Sequence, residues 1–196
     1  NTQPVMLVAG IAAYRAWLAE GGAAPAAVAG HSLGEYTALV ASGVLTLAQA
    51  VPLVRLRAAA MQEAVPVGVG AMAAILGLDA NTVREVCAKT MAGSSEIAEA
   101  VNFNAPGQTV IAGTKAGVEQ ACAALKEAGA KRALNLPVSA PFHSSLMRPA
   151  ALKLQAALAD LTLGTPQIPV INNIDVLVET DAAKIKDALY RQAFGP

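Results

Sequence analysis

The segment Gly30-His31-Ser32-Leu33-Gly34 constrains the fold of this chain more than any other. A Gly-x-Ser-x-Gly run is a nucleophile elbow when an apolar strand enters it and a helix leaves it. The apolar run Ala26-Ala27-Val28-Ala29 precedes it, and residues 33–41 follow with helical spacing. In such a turn the serine sits strained with its hydroxyl exposed, and the flanking glycines let strand and helix pass without Cβ clashes. The turn also aims the backbone N–H of Leu33 at the place where an oxyanion would form, at a helix N-terminus that favours negative charge. In a chain with 16 glycines the pattern can arise by chance. The order strand, turn, helix favours a nucleophile, so Ser32 is the expected nucleophile and Leu33 the expected oxyanion donor.

A serine hydroxyl needs a base, and the chain has two histidines. His31 adjoins Ser32, so its side chain is expected to point away from the hydroxyl and to pack or hydrogen-bond structurally. His143, in the loop Ala140-Pro141-Phe142-His143-Ser144, follows an expected strand and is the better base by elimination. Asp160 and Asp175 follow it, but their spacing selects neither as an orienting acid, and a backbone carbonyl would serve as well. Arg55 and Arg57 stand two apart in an otherwise apolar helix, so they face different sides. An inward arginine needs an anion, and a free carboxylate held by both guanidinium arms would supply one. On the residues alone, two surface arginines with their stems laid on the protein are the simpler reading.

Helical spacing also marks Thr2 to Leu18, closed by Gly21-Gly22, and residues 47–64, closed by Pro66. From Gly70 to Leu136 the pattern changes. Strand 72–76, helix 81–91, strands 97–103 and 109–112 joined through Ala105-Pro106-Gly107, a helix through Val118 and Leu125, and strand 132–136 follow in order. That order is the split βαβ, ferredoxin-like βαββαβ arrangement. A helix at 149–161, a strand at 168–171 and a helix at 181–193 complete the chain. The expected fold class is α/β: a hydrolase-like core with a mainly parallel sheet (1–66 and 137–196) and an inserted ferredoxin-like subdomain (67–136).

Lysine plus arginine equals aspartate plus glutamate at 14 each, a formal net charge of zero, which argues against nucleic acid or a polybasic membrane role. No apolar run approaches the ~18 residues of a membrane-spanning helix. Cys87 and Cys122 lie on apolar helical faces and read as buried free thiols. With no secretory signal at Asn1, the expected compartment is the cytoplasm.

Five ordered motifs then carry a family resemblance. They are Gly30-His31-Ser32-Leu33-Gly34-Glu35-Tyr36, Met61-Gln62-Glu63-Ala64-Val65-Pro66, Gly70-Ala71-Met72-Ala73-Ala74, Asn102-Phe103-Asn104-Ala105-Pro106-Gly107-Gln108 and Asn172-Asn173. Together they resemble the bacterial malonyl-CoA:acyl carrier protein transacylases of fatty acid synthesis, over essentially the whole chain. The resemblance implies ping-pong transfer of malonyl from CoA, through an ester on Ser32 with His143 as base, to the phosphopantetheine thiol of acyl carrier protein. It also implies that Arg57 pairs with the malonyl carboxylate, leaving Arg55 solvated. Pantetheine contacts map onto Asn102, Asn104 and Gln108, and Lys131 and Arg132 become candidates for CoA phosphates or the carrier protein. Ala140-Pro141-Phe142-His143 resembles a signature of malonyl-specific members. Malonyl-CoA and acyl carrier protein are the implied partners, with no metal and no cofactor beyond the substrate.

The family's pattern begins with a strand and a Gly-Gln-Gly-Ser-Gln loop and ends beyond further strands and a Gly-Pro-Gly motif. The chain is therefore expected to correspond to the family's central portion, incomplete at both ends. Related readings are an acyltransferase domain of a polyketide synthase, a serine esterase, which would want a triad acid and no inward arginine, and a module that only binds carrier protein.

Overall fold

The structure, a computed structural model, describes residues 2–138 and 140–196. Helix α1 (Thr2–Ala19), strand β1 (Val28–Ala29), α2 (Leu33–Ala41) and α3 (Leu47–Glu63) come first. Then follow β2 (Gly70–Leu76), α4 (Ala80–Met91), β3 (Ala98–Ala105), β4 (Gln108–Thr114), α5 (Lys115–Glu127) and β5 (Arg132–Asn135). The chain ends with α6 (Arg148–Ala159), β6 (Val170–Ile171) and α7 (Ala182–Gln192). It divides into two compact units, one running to Ala60 and resuming over Ala151–Gln192, the other Met61–Ala150 with Ala193–Pro196.

In the first unit β1 pairs parallel with β6, Val28 opposite Val170 and Ala29 opposite Ile171. Small apolar residues suit this short strand because the helix that follows must approach it closely. Helices supply most of the core: Leu7 and Ile11 from α1, Tyr36 and Leu39 from α2, Leu53 and Val54 from α3, Leu154 and Leu158 from α6, and Ile185 and Leu189 from α7 are all buried. In α7 the buried positions Ile185, Ala188, Leu189 and Gln192 recur at helical spacing, so a glutamine occupies the end of an apolar stripe.

The second unit is built on a four-stranded sheet in the order β3-β4-β2-β5, with every neighbouring pair antiparallel. Alternation along the strands sends side chains to two faces. Ala73, Ile75, Ala98 and Ile111 form one core with Val83 and Cys87 of α4 and Val118, Ala121, Cys122 and Leu125 of α5. Met72, Val101, Val110 and Ala112 form another, against which Leu136 and Phe142 pack. Both cysteines are buried free thiols, and burial pushes the Cys87 thiol up to about 11. The helices start at side-chain caps. Asp79 accepts from the N–H groups of Asn81 and Thr82, and the Thr114 hydroxyl accepts from Gly117 N–H.

The fold is thus α/β with mixed sheets, parallel between β1 and β6 and antiparallel in the second unit. Its elements lie within a few residues of those expected from periodicity. The strand expected at 168–171 shrinks to Val170–Ile171, because Pro169 has no N–H to place in a ladder. No helix of the described residues is long and apolar enough to cross a membrane.

Leu125 is fully buried between α5 and the sheet, whereas Leu134 on β5 is 47% exposed. Leu125→Ala is expected to lower unfolding stability by about 2–5 kcal/mol, and Leu134→Ala by less than about 0.5 kcal/mol, as read from urea denaturation.

Candidate active site

Ser32 stands between β1 and α2 at φ 52° and ψ −108°, a backbone conformation that non-glycine residues seldom adopt. The turn is possible because Gly30 has no side chain: a Cβ there would lie 2.0 Å from the carbonyl carbon of Gly34. Two bonds close it, Gly34 N–H to His31 O at 2.8 Å and Glu35 N–H to Ser32 O at 3.2 Å. The Asn173 side chain steadies it from the loop after β6, its Oδ1 accepting from Ser32 N–H at 2.6 Å. Ser32 occupies the N-cap position of α2, yet its hydroxyl makes no capping bond. Leu33 is the first residue of that helix.

The Ser32 hydroxyl instead meets Arg57. Arg57 lies on α3 and is 2% exposed, while Arg55 is exposed to solvent. Its Nη2 donates to Ser32 Oγ at 2.9 Å and to Gln192 Oε1 at 2.9 Å, and its Nη1 donates to Gln3 Oε1 at 2.8 Å. The guanidinium carbon sits 5.4 Å from the centre of the Tyr36 ring. Gln192 continues the network, its Nε2 donating to Ser32 O at 3.0 Å and to Glu35 Oε2 at 2.6 Å. Arg57 Nε and Tyr36 Oη are buried without a hydrogen-bond partner among the described residues. A buried cation held by neutral acceptors, its Nε N–H without a partner, has spare capacity for an anion.

The electrostatics follow from this dryness. Burial pulls the Arg57 pKa below its ordinary value, and the neighbouring Tyr36 and Glu35 oppose the shift. Burial also pushes the Tyr36 phenol up to about 12. The Glu35 carboxyl is raised above 4.5, because desolvation outweighs the bonds from Gln192 and Asn173 and the attraction of Arg57. His31 is exposed, and its pKa is lowered, first by partial desolvation and then by Arg57. It lines a cleft of about 330 Å³ with Ala29, Gly30, Ile171, Asn172, Asn173 and Val176.

Chemically, a guanidinium that donates to Oγ uses an oxygen lone pair and leaves the hydroxyl proton available to a base. The same contact stabilises negative charge on that oxygen.

The other expected residues lie in the second unit. His143 is buried and held at φ 64° in a turn closed by bonds from Ser144 N–H and Oγ to Pro141 O. Ser145 N–H donates to Glu99 Oε2 at 2.7 Å just beyond it. The turn sits close to the start of β2, where a Cβ on Gly70 would lie 2.4 Å from Pro141 Cδ. Asn102 and Asn104 are on β3 and Gln108 opens β4, with Asn102 half-buried and the other two exposed. Lys131 and Arg132 are exposed at the start of β5. Of the two acids considered for orientation, Asp175 gives both oxygens to Arg191 at 2.7 Å, and Asp160 is exposed after α6.

Gln3, Glu35, Asn173 and Gln192 carry no assigned role in the sequence reading, yet all touch Ser32 or Arg57 or bridge them. The readable signal is a polar side chain at a buried periodic position, which Gln192 displays most clearly.

Residues 1–192 match the family model of the acyl transferase domain, and the chain belongs to that family. It is 55% identical over 196 residues to the malonyl CoA-acyl carrier protein transacylase of Escherichia coli strain K12, covering all of this chain and 63% of that protein. The acyl-carrier-protein S-malonyltransferase structure from Burkholderia pseudomallei 1710b superposes with a TM-score of 0.96 at 66% identity, over 100% of this chain and 63% of that one. A malonyl-transacylase solved with its holo acyl carrier protein from a type II polyketide synthase matches at 0.96 and 52%, over 100% of this chain and 62% of that one. The chain spans less than two thirds of the length of each of these relatives.

The raised pKa of Glu35 gives a pH test. A carboxyl that holds its proton more tightly folded than unfolded favours the fold most in its neutral form. Its contribution is greatest below about 4.5 and declines as pH rises through the raised value. Glu35→Gln is expected to flatten the fall of the urea midpoint as pH rises above about 4.5.

Proposed function

We propose that this chain carries the nucleophile and carboxylate-binding part of a malonyl-CoA:acyl carrier protein transacylase. The observation that carries the reading is the buried Arg57 guanidinium bonded directly to the Ser32 hydroxyl. An esterase has no use for a buried cation at its nucleophile, whereas an acyl group ending in a carboxylate does. The names of the relatives support the same reading.

In the first half-reaction His143 takes the proton of Ser32 Oγ, and the oxygen attacks the thioester carbonyl of malonyl-CoA. The Leu33 N–H holds the tetrahedral oxyanion, while Arg57 holds the distal carboxylate. The C–S bond breaks, the imidazolium returns its proton to the departing CoA thiolate, and malonyl-serine remains. In the second half the phosphopantetheine thiol of acyl carrier protein gives its proton to His143 and attacks the ester. Serine leaves and recovers the proton. The sequence needs no metal or redox cofactor. Acyl groups without a carboxylate leave Arg57 without its anion, a physical reason for their rejection.

Around this chemistry we assign a hydrolase-like core of parallel sheet, with an inserted ferredoxin-like subdomain over residues 67–136. Its strand order, β3-β4-β2-β5 with α4 and α5 on one face, supports that assignment. Asn102, Asn104 and Gln108 are proposed to contact pantetheine, and Lys131 and Arg132 the CoA phosphates or the carrier protein. The compartment is the cytoplasm. Fatty acid synthesis is the favoured pathway. A polyketide carrier is a second reading, favoured by the relative solved with one.

Incubation with radiolabelled malonyl-CoA is expected to label Ser32, as located by peptide mass spectrometry, and Ser32→Ala to abolish the label. Arg57→Ala should cut malonyl labelling by roughly a hundred-fold while acetyl labelling falls less. Absence of malonyl label on the wild-type protein would defeat the reading.

A further inference from the structure

Glu35 has no part in the chemistry above, yet it is 1% exposed and sits one turn from the nucleophile. Burying a carboxylate is unfavourable unless it is compensated, and here the compensation runs through one amide. Glu35 Oε2 accepts from Gln192 Nε2 at 2.6 Å, and Gln192 Oε1 accepts from Arg57 Nη2 at 2.9 Å. The same Nε2 donates to Ser32 O at 3.0 Å.

The order of donors and acceptors in this chain is forced. An ionised carboxylate only accepts and a guanidinium only donates. Gln192 must therefore present its NH₂ to Glu35 and its oxygen to Arg57. Reversed, the amide would point donor at donor and acceptor at acceptor. Arg57, the Ser32 carbonyl and Glu35 thus agree on which end of Gln192 meets Arg57, and the Gln192 oxygen fixes the Nη2 that also reaches Ser32 Oγ at 2.9 Å. A glutamine at position 35 replaces the carboxylate acceptor with a neutral amide, and the short bond that fastens the Gln192 NH₂ is weakened.

Resting on the malonyl-transfer reading, we propose that Glu35, acting through Gln192, is a positioning residue. It holds the Arg57 guanidinium against Ser32 and so sets the selectivity for acyl groups that end in a free carboxylate. Glu35 touches neither substrate nor reacting atoms. Its effect reaches the site through a directional amide. The arrangement also balances charge, since Glu35 offsets the buried cation until a substrate carboxylate arrives.

Two measurements on the whole protein test this, with Glu35→Gln, Gln192→Met and the double variant. The first is the nitrogen-15 signal set of the Arg57 guanidinium. In the wild type the Nη protons should be resolved and slow to exchange, and in Glu35→Gln they should exchange at least about ten-fold faster. The second is the rate of Ser32 labelling by malonyl-CoA against acetyl-CoA. Each single variant should slow malonyl labelling roughly ten- to a hundred-fold with acetyl labelling little changed. The double variant should lose no more than the worse single, because both act on one linkage. Unchanged Arg57 exchange in Glu35→Gln overturns the proposal, as does an equal fall for malonyl and acetyl, which is the mark of a merely structural role. If the wild type takes no malonyl label, the transacylase reading fails by itself, and the Arg57 signals still decide whether Glu35 positions the guanidinium.

Discussion

A guanidinium removed from water beside a serine hydroxyl is the constraint on which the rest of the first unit depends. Arg57 is almost wholly buried on α3, and it donates hydrogen bonds to the neutral side chains of Ser32, Gln3 and Gln192. Desolvation works against the charge. Residues brought from α1, α2 and α7 meet it at one point, so elements distant in the chain must stay in register for the charge to be tolerated. Interactions of this kind do little for net stability, because the attraction gained is offset by the hydration lost. What they supply is a directed set of donors at a fixed place.

The elbow contributes strain of a complementary sort. Ser32 is held at positive φ by a glycine that permits backbone contact and by bonds to its N–H and C=O. A conformation of this kind costs of order 1–3 kcal/mol and persists only where the surroundings over-determine it. Asn173 and Gln192 grip the serine backbone on either side while Arg57 takes its hydroxyl. The nucleophile is thereby held at all three of its polar groups.

The second unit follows simpler rules. Its sheet has one face covered by α4 and α5 and the other packed by Leu136 and Phe142, with two register shifts along β3. Phe142 adjoins His143, so the packing that completes the second face also anchors the turn in which the histidine sits. Thr114 joins local capping to long-range structure: its hydroxyl is bonded to Glu96 and accepts from Ile97 N–H while it caps α5.

Much of this was written in local sequence. The elbow, the helix from Leu33 to Ala41 and the Pro106-Gly107 turn depend on residues within a few positions of one another, and each was legible from glycine placement and apolar period. So were the buried faces of α4 and α5. The strand at β6 was legible only as an apolar run, since its end is decided by Pro169 and by pairing with a segment far away in the chain. On the residues alone Arg55 and Arg57 read as two surface arginines, and the family resemblance singled out Arg57. Which of the pair turns inward was settled by packing against α1, α2 and α7. Glu35 and Asn173 lay beyond local reasoning, and Gln192 was legible only as a polar residue on an apolar stripe, since a polar side chain acquires its role only when a distant partner of the right hydrogen-bonding sense is brought within 3 Å. Sequence by itself determined which residue types stood at the turn and on each helix face. Tertiary structure alone decided which of them share one buried network, because that depends on distances across elements that no periodicity encodes.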